Sequence, residues 1–159
     1  MAPKELAPTP LDFRFATKED IPELISLLID DELGRQRETV DPQSMQQYQK
    51  AFARMSAQPD NRILLGLDGH DIVGMLQLTI IHGLTHQGRP RAQIEGVRVK
   101  GDARGRGYGR QLFQKAFDIG KEQGCFMAQL TTDNRRPDAK RFYESLGFEA
   151  THHGMKRPL

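Results

Sequence analysis

Residues 12–16 (DFRFA) alternate apolar and polar side chains, the period of a short strand. Thr17 then stands three residues before Asp20, a capping-box spacing. Ile21, Leu24, Ile25, Leu28 and Ile29 recur at helical spacing, and Gly34 suits the stop. Asp41-Pro42 is a cap followed by a first-turn proline and opens a second helix running to about Ala57. Residues 61–67 and Asp71–Ile81 flank Asp68-Gly69, a hairpin signal. A polar loop over residues 82–90 precedes a strand at Arg91–Val99. The chain then passes through GDARGRGYG into a helix whose Leu112, Phe113, Ala116, Phe117 and Gly120 share one face.

Gly124 closes that helix, and residues 125–131 (CFMAQLT) read as a further strand. A short helix over about residues 138–146 ends at Gly147, and a last strand runs from Phe148 toward Met155. The order β-α-α-β-β-β-α-β-α-β predicts a mixed α/β domain with helices covering a twisted sheet. The strand–Gly-loop–helix–strand passage between residues 91 and 131 is a βαβ unit, expected to be right-handed.

Composition narrows the picture. A length of 159 residues fits one domain better than two, so the expected organisation is an N-terminal flexible arm over residues 1–11 and a single domain over residues 12–159. The single cysteine, Cys125, rules out an internal disulfide framework, and no Cys/His cluster has zinc spacing, so no metal is expected. No apolar run approaches the roughly 20 residues of a bilayer span, and the first residues lack a signal-peptide core. A cytoplasmic location is the expectation. With 23 Lys and Arg against 21 Asp and Glu, overall charge gives no argument for nucleic acid or membrane. Its distribution is uneven: Asp30, Asp31, Glu32, Glu38 and Asp41 cluster early, whereas arginines crowd the second half.

The chemistry concentrates in Arg104-Gly105-Arg106-Gly107-Tyr108-Gly109. A turn between a strand and a helix leaves successive backbone N–H groups without intrahelical partners, and the helix dipole adds partial positive charge. Together they make an anion site. The glycines let a phosphate approach the backbone, and Arg104 and Arg106 add charge beside it. No lysine completes a GxxxxGK[ST] loop. A dinucleotide GxGxxG also fails, because Gly105-Arg106-Gly107 is followed by Arg110 where glycine is needed.

This six-residue stretch matches the Q/R-x-x-G-x-G/A signature of the GNAT superfamily of N-acetyltransferases, and IEGVRVKGDARG resembles that family's fourth strand and its following loop. RFYESLGF resembles its C-terminal motif, and the element order agrees from Asp12 to about Met155. The resemblance implies a mostly antiparallel twisted sheet with a central βαβ acetyl-CoA unit and helices on both faces. It also implies direct acetyl transfer from acetyl-CoA to a small-molecule or protein amine, without nucleic acid or membrane as partner. A homodimer is left open as the assembly.

By the same resemblance, the main chain of Val97, Arg98 and Val99 runs along the pantetheine and supplies an oxyanion donor, while residues 104–109 hold the pyrophosphate. Tyr143 is the general acid toward the thiolate. Glu95 lies two residues before Val97, which puts both on one sheet face, and is the candidate base for the amine proton. Many members carry an asparagine three residues before the alanine that here is Ala139. That position is Arg136, with Asn134 two residues earlier as the nearest substitute. The charged run over residues 29–38 lies where the family's first helices border the acceptor groove; its carboxylates suit a cationic amine and Arg35 or Arg37 a substrate carboxylate, but it reads foremost as a solvated turn. His82 and His86 are loop residues near a possible acceptor mouth, and Cys125 reads as core. Two other functions fit parts of the pattern: an acyl-CoA-binding module without turnover, and nucleic-acid contact through RGRGYGR.

Overall fold

The computed structural model describes residues 8–159. Five strands lie side by side in the order in which the chain makes them: β1 (Asp12–Phe15), β2 (Asn61–Asp68), β3 (Asp71–Ile81), β4 (Arg91–Val99) and β5 (Ala128–Gln129). The first four pair antiparallel and β5 joins β4 in parallel. The β2–β3 hairpin turns at Gly69, whose φ of 63° is the left-handed conformation the Asp-Gly signal requires. The helices are α1 (Ile21–Ile29), α2 (Glu32–Arg37), α3 (Pro42–Ser56), α4 (Tyr108–Glu122) and α5 (Pro137–Ser145).

Strand alternation assigns two cores. Leu64, Leu76, Leu78, Ile80, Ala92 and Ile94 meet Leu112, Phe113 and Ala116 of α4, with Phe142 and Tyr143 of α5 behind them. Leu65 and Met75, on the opposite face, meet Leu24 and Leu27 of α1, with Phe52 of α3 at the margin. Helices therefore cover both faces, as the sequence predicts. Phe113 is fully buried, so truncation to alanine would cost about 3–5 kcal/mol.

Three predicted elements come out differently. The first helix does not run to Gly34. It stops at Ile29, turns a corner at Asp30 and Asp31, and restarts as α2, with Asp31 accepting the Gly34 N–H at 2.5 Å. Gly34 is a site of close approach, since a Cβ there would lie 1.8 Å from the Leu28 carbonyl oxygen. The strand predicted at residues 125–131 shortens to Ala128–Gln129. The last predicted strand does not form among the described residues. Phe148 packs against Phe113 and Tyr143 instead, and Met155 and Leu159 are exposed.

At the other terminus, residues 8–11 lie against α4. Gln111 accepts from the Leu11 N–H and donates to the Thr9 carbonyl, both at 2.9 Å, and Leu11 is buried with Val73, Ala103 and Tyr108.

Candidate active site

A bulge in β4 organises the site. Met75 faces Arg98 and Gln77 faces Glu95, so Leu76 alone opposes both Gly96 and Val97. Gly96 takes a φ of 58°, which glycine adopts freely. The extra residue flips the alternation. Val97 joins the α4-side core, whereas Glu95 and Arg98 both fall on the α1 side. The expectation that Glu95 and Val97 share a face is thereby corrected: the two-residue rule fails across a bulge.

Beyond Gln93↔Gln129, β4 has no strand partner on its β5 side among the described residues. The Lys100 N–H reaches back to the Val73 carbonyl at 2.9 Å, so by alternation the main chain of Val97 and Val99 points into the gap. Two arginine side chains occupy the carbonyls there. Arg98 donates to Val97 O at 2.8 Å, and Arg104 Nε donates to Val99 O at 3.2 Å.

The loop after β4 delivers the chain to α4. Gly105 and Gly107 have φ of 77° and 76°, and Gly107 is the N-cap of α4. Gln111 is the first residue to bond back, to Gly107 O at 3.2 Å. None of the N–H groups from Gly105 to Arg110 donates to another described residue, which leaves a row of donors at the positive end of a 15-residue helix. Arg104 and Arg106 are exposed; Arg106 donates to the Asp102 carbonyl at 3.3 Å, and Arg104 lies 3.8 Å from the Asp30 carboxylate. Tyr108 turns its ring inward and donates to Asp68 at 2.6 Å, so only its main chain faces the loop. Gly109 permits contact with α5: a Cβ would lie 3.1 Å from the Phe142 ring. Pro8 stands beside Gly107, about as close as a Cβ could tolerate.

Tyr143 projects from α5 into an aromatic cluster, its ring centroid 5.7 Å from Phe113 and 6.1 Å from Phe148. Burial pushes its phenol pKa up from the ordinary value, against the opposing pull of the Arg136 and Arg98 guanidiniums. Its hydroxyl bonds to no other described residue. Ala139 lies half-buried one turn earlier on α5, and Asn134 is exposed in the preceding turn. Arg136, at the position of the family's asparagine, is the N-cap of α5 and donates to Asp31 at 2.7 Å.

Asp31, part of the run whose sequence reads as a solvated turn, is instead a contact of the site. It caps α2, binds Arg136 and lies 3.6 Å from Arg98 Nε, a buried nitrogen with no hydrogen-bond partner among the described residues. Burial pushes the Asp31 carboxyl up, but the Gly34 N–H and the two guanidiniums outweigh it and hold the group below its usual range. Its only sequence signal was an Asp three residues before a glycine, the spacing of a cap. His82 pairs with Asp60 at 3.0 Å and His86 stacks on Phe126, both toward the start of β4 and away from the bulge. Neither joins the site.

Residues 23–148 match the model of the acetyltransferase (GNAT) family. The chain is 27% identical to an aminoalkylphosphonate N-acetyltransferase of Salmonella typhimurium, covering 93% of this chain and 91% of that one. It is 34% identical to a glucosamine 6-phosphate N-acetyltransferase of Trypanosoma brucei brucei over 88 residues, 55% of this chain and 58% of that one. A solved structure from Bacillus halodurans C-125, described as a transcriptional regulator, superposes with a TM-score of 0.89 at 45% identity, covering 94% of this chain and all of that one.

Proposed function

The chain belongs to the GNAT acetyltransferase family, and from that premise we propose that it transfers an acetyl group from acetyl-CoA to a primary amine by direct attack in a ternary complex. One observation carries the reading: among the described residues, a row of N–H groups without partners opens α4 and leads, along β4, to the stretch past Gln93 that β5 leaves unpaired. An anion fits the first part and an extended amide-bearing arm fits the second, and a pantetheine pyrophosphate has both.

Acetyl-CoA supplies the thioester carbonyl that an amine attacks. The N–H groups of residues 105–110 hold the pyrophosphate, with Arg104 and Arg106 adding charge. Val97 and Val99 bond the pantetheine through the main chain, with Asn134 and Ala139 flanking it from the α5 side. The Val97 N–H donates to the carbonyl oxygen as charge builds there. Glu95, exposed on the α1 side, takes the ammonium proton through water, which frees the nitrogen lone pair. As the C–N bond forms and the C–S bond breaks, Tyr143 gives its proton to the departing sulfur, and the nitrogen sheds its second proton to solvent, from which the phenolate is reprotonated.

The acceptor is a small-molecule or protein amine, and the two curated relatives named above act on amines bearing phosphonate or phosphate. No helix among the described residues is long and apolar enough to cross a membrane; a cytoplasmic enzyme is part of this reading. The test is CoA thiol release with a panel of amines. Amine-dependent release above the hydrolytic background is expected, and its absence across the panel would overturn the assignment.

A second reading has its own observation, the 45% identical structure described as a transcriptional regulator. It would engage nucleic acid through the exposed arginines of RGRGYGR. Its signature is DNA affinity that falls steeply with salt.

A further inference from the structure

Two pairs of arginines gather around α2, one at each end of it. Arg98 and Arg136 share Asp31, at 3.6 and 2.7 Å, and Arg37 and Arg135 share Asp133, at 3.5 and 2.7 Å. Four guanidiniums divided between two carboxylates leave an excess of two positive charges. Part of that excess is out of water: the Arg98 side chain is only 14% exposed, and although its Nη1 donates to Val97 O, its Nε lacks a hydrogen-bond partner among the described residues. A buried cation without full compensation is costly, and an anion reaching it would offset that cost. Burial, with Arg136 and Arg37 adding like-charge repulsion, pulls the Arg98 pKa down despite Asp31.

The cluster shares no arginine with the phosphate loop it borders: Arg104, which belongs to that loop, is tied to Asp30, the residue before Asp31. Arg98 directly follows Val97, whose N–H is the proposed donor to the thioester carbonyl, so a cofactor lying along β4's open edge presents its acyl end here. Arg98 also shares its sheet face with Glu95. One face thus offers a carboxylate for an ammonium and guanidiniums for an anion.

We propose that Arg37, Arg98, Arg136 and their neighbour Arg135 form a subsite for a dianionic phosphoryl or phosphonyl group carried by the acceptor amine. This rests on the transferase reading above. A dianion matches the excess of two charges, whereas a carboxylate cancels only one. Arg37 and Arg135 keep exposed heads that a ligand can reach, and the planar fork of arginine suits tetrahedral oxyanions.

The experiment compares phosphoethanolamine, β-alanine and ethanolamine as acceptors at saturating acetyl-CoA, so that the phosphate loop is filled. Phosphoethanolamine should exceed both others in kcat/KM by about tenfold or more, the value of one charged hydrogen bond. In Arg37→Gln and Arg136→Gln, checked for folding by thermal melting, the phosphoethanolamine-to-ethanolamine ratio should fall about tenfold, and Arg37→Lys should restore part of it. Equal kcat/KM for all three acceptors in the wild type, or a ratio unchanged in both glutamine variants, would overturn the subsite. Parity between β-alanine and phosphoethanolamine would overturn the dianion. If no amine is acetylated, the transferase reading fails by itself. Calorimetry of phosphoethanolamine with acetyl-CoA present then decides the subsite: binding weakened by Arg37→Gln sustains it, and no binding removes it.

Discussion

Tyr143 is the residue on which the proposed chemistry is most exposed to test. Tyr143→Phe keeps the ring among Phe113, Phe142 and Phe148 and removes only the hydroxyl. If that hydroxyl protonates the thiolate, kcat should fall by about 10²–10⁴-fold with little change in acetyl-CoA affinity. An unchanged kcat, with chemistry rate-limiting, makes it a packing residue. The pH profile has a definite sign. Burial raises the phenol above its ordinary value of about 10, so wild-type kcat should decline only above that pH. Arg136 favours the phenolate, so Arg136→Gln should move the limb higher still. Gly107→Val puts a branched side chain at φ 76° and against Pro8. A severe loss of acetyl-CoA binding by a folded protein is expected; near-normal affinity in calorimetry would remove the phosphate-loop role. Glycines at 105 and 107 were readable from sequence because few other motifs space them so. The side of Glu95 was not, because a bulge shows in sequence only as a glycine within a strand.

At the scale of elements, the corner between α1 and α2 is the least tolerant junction. Gly34→Ala should gain about 1 kcal/mol of helix propensity. It would also place a methyl 1.8 Å from a backbone carbonyl, a clash that no rotamer relieves. Separating the helices costs more than the gain, and a net loss of about 1–3 kcal/mol should lower Tm by roughly 2–12 °C in a thermal scan. An unchanged Tm would mean that α2 docks loosely. Glycine carries the same sequence signal whether it ends a helix or admits a neighbour, which is why the break at Asp30 was illegible. The amphipathic face of α4 was legible because five spaced apolar residues leave no other arrangement. The final strand was over-read. After Phe148 no apolar alternation follows, and that one large side chain packs against Phe113 rather than starting a ladder.

For the whole molecule, acetyl-CoA should act as a stabiliser if it fills the gap beside β4. At about 100 times Kd the linkage is about 2.7 kcal/mol, roughly 5–10 °C in Tm. A scan showing no shift at that excess would argue against a preformed site. The way β5 and α5 are attached carries a further consequence. Among the described residues only two strand positions, Ala92↔Ala128 and Gln93↔Gln129, pair β5 with the sheet, and α5 is held chiefly by the rings around Phe113, with Arg110 on Ser145 and Arg136 on Asp31 at its ends. Side-chain packing therefore does here what ladder hydrogen bonds do between β2 and β3. Such a segment opens as one cooperative unit below the energy of global unfolding. In native-state hydrogen exchange, the amides of α5 should share a single opening free energy, lower than that of β2 and β3. Phe113→Leu should lower both, and the α5 set by more. Tyr143 travels with that unit, so the proposed acid would leave the site each time the segment breathes.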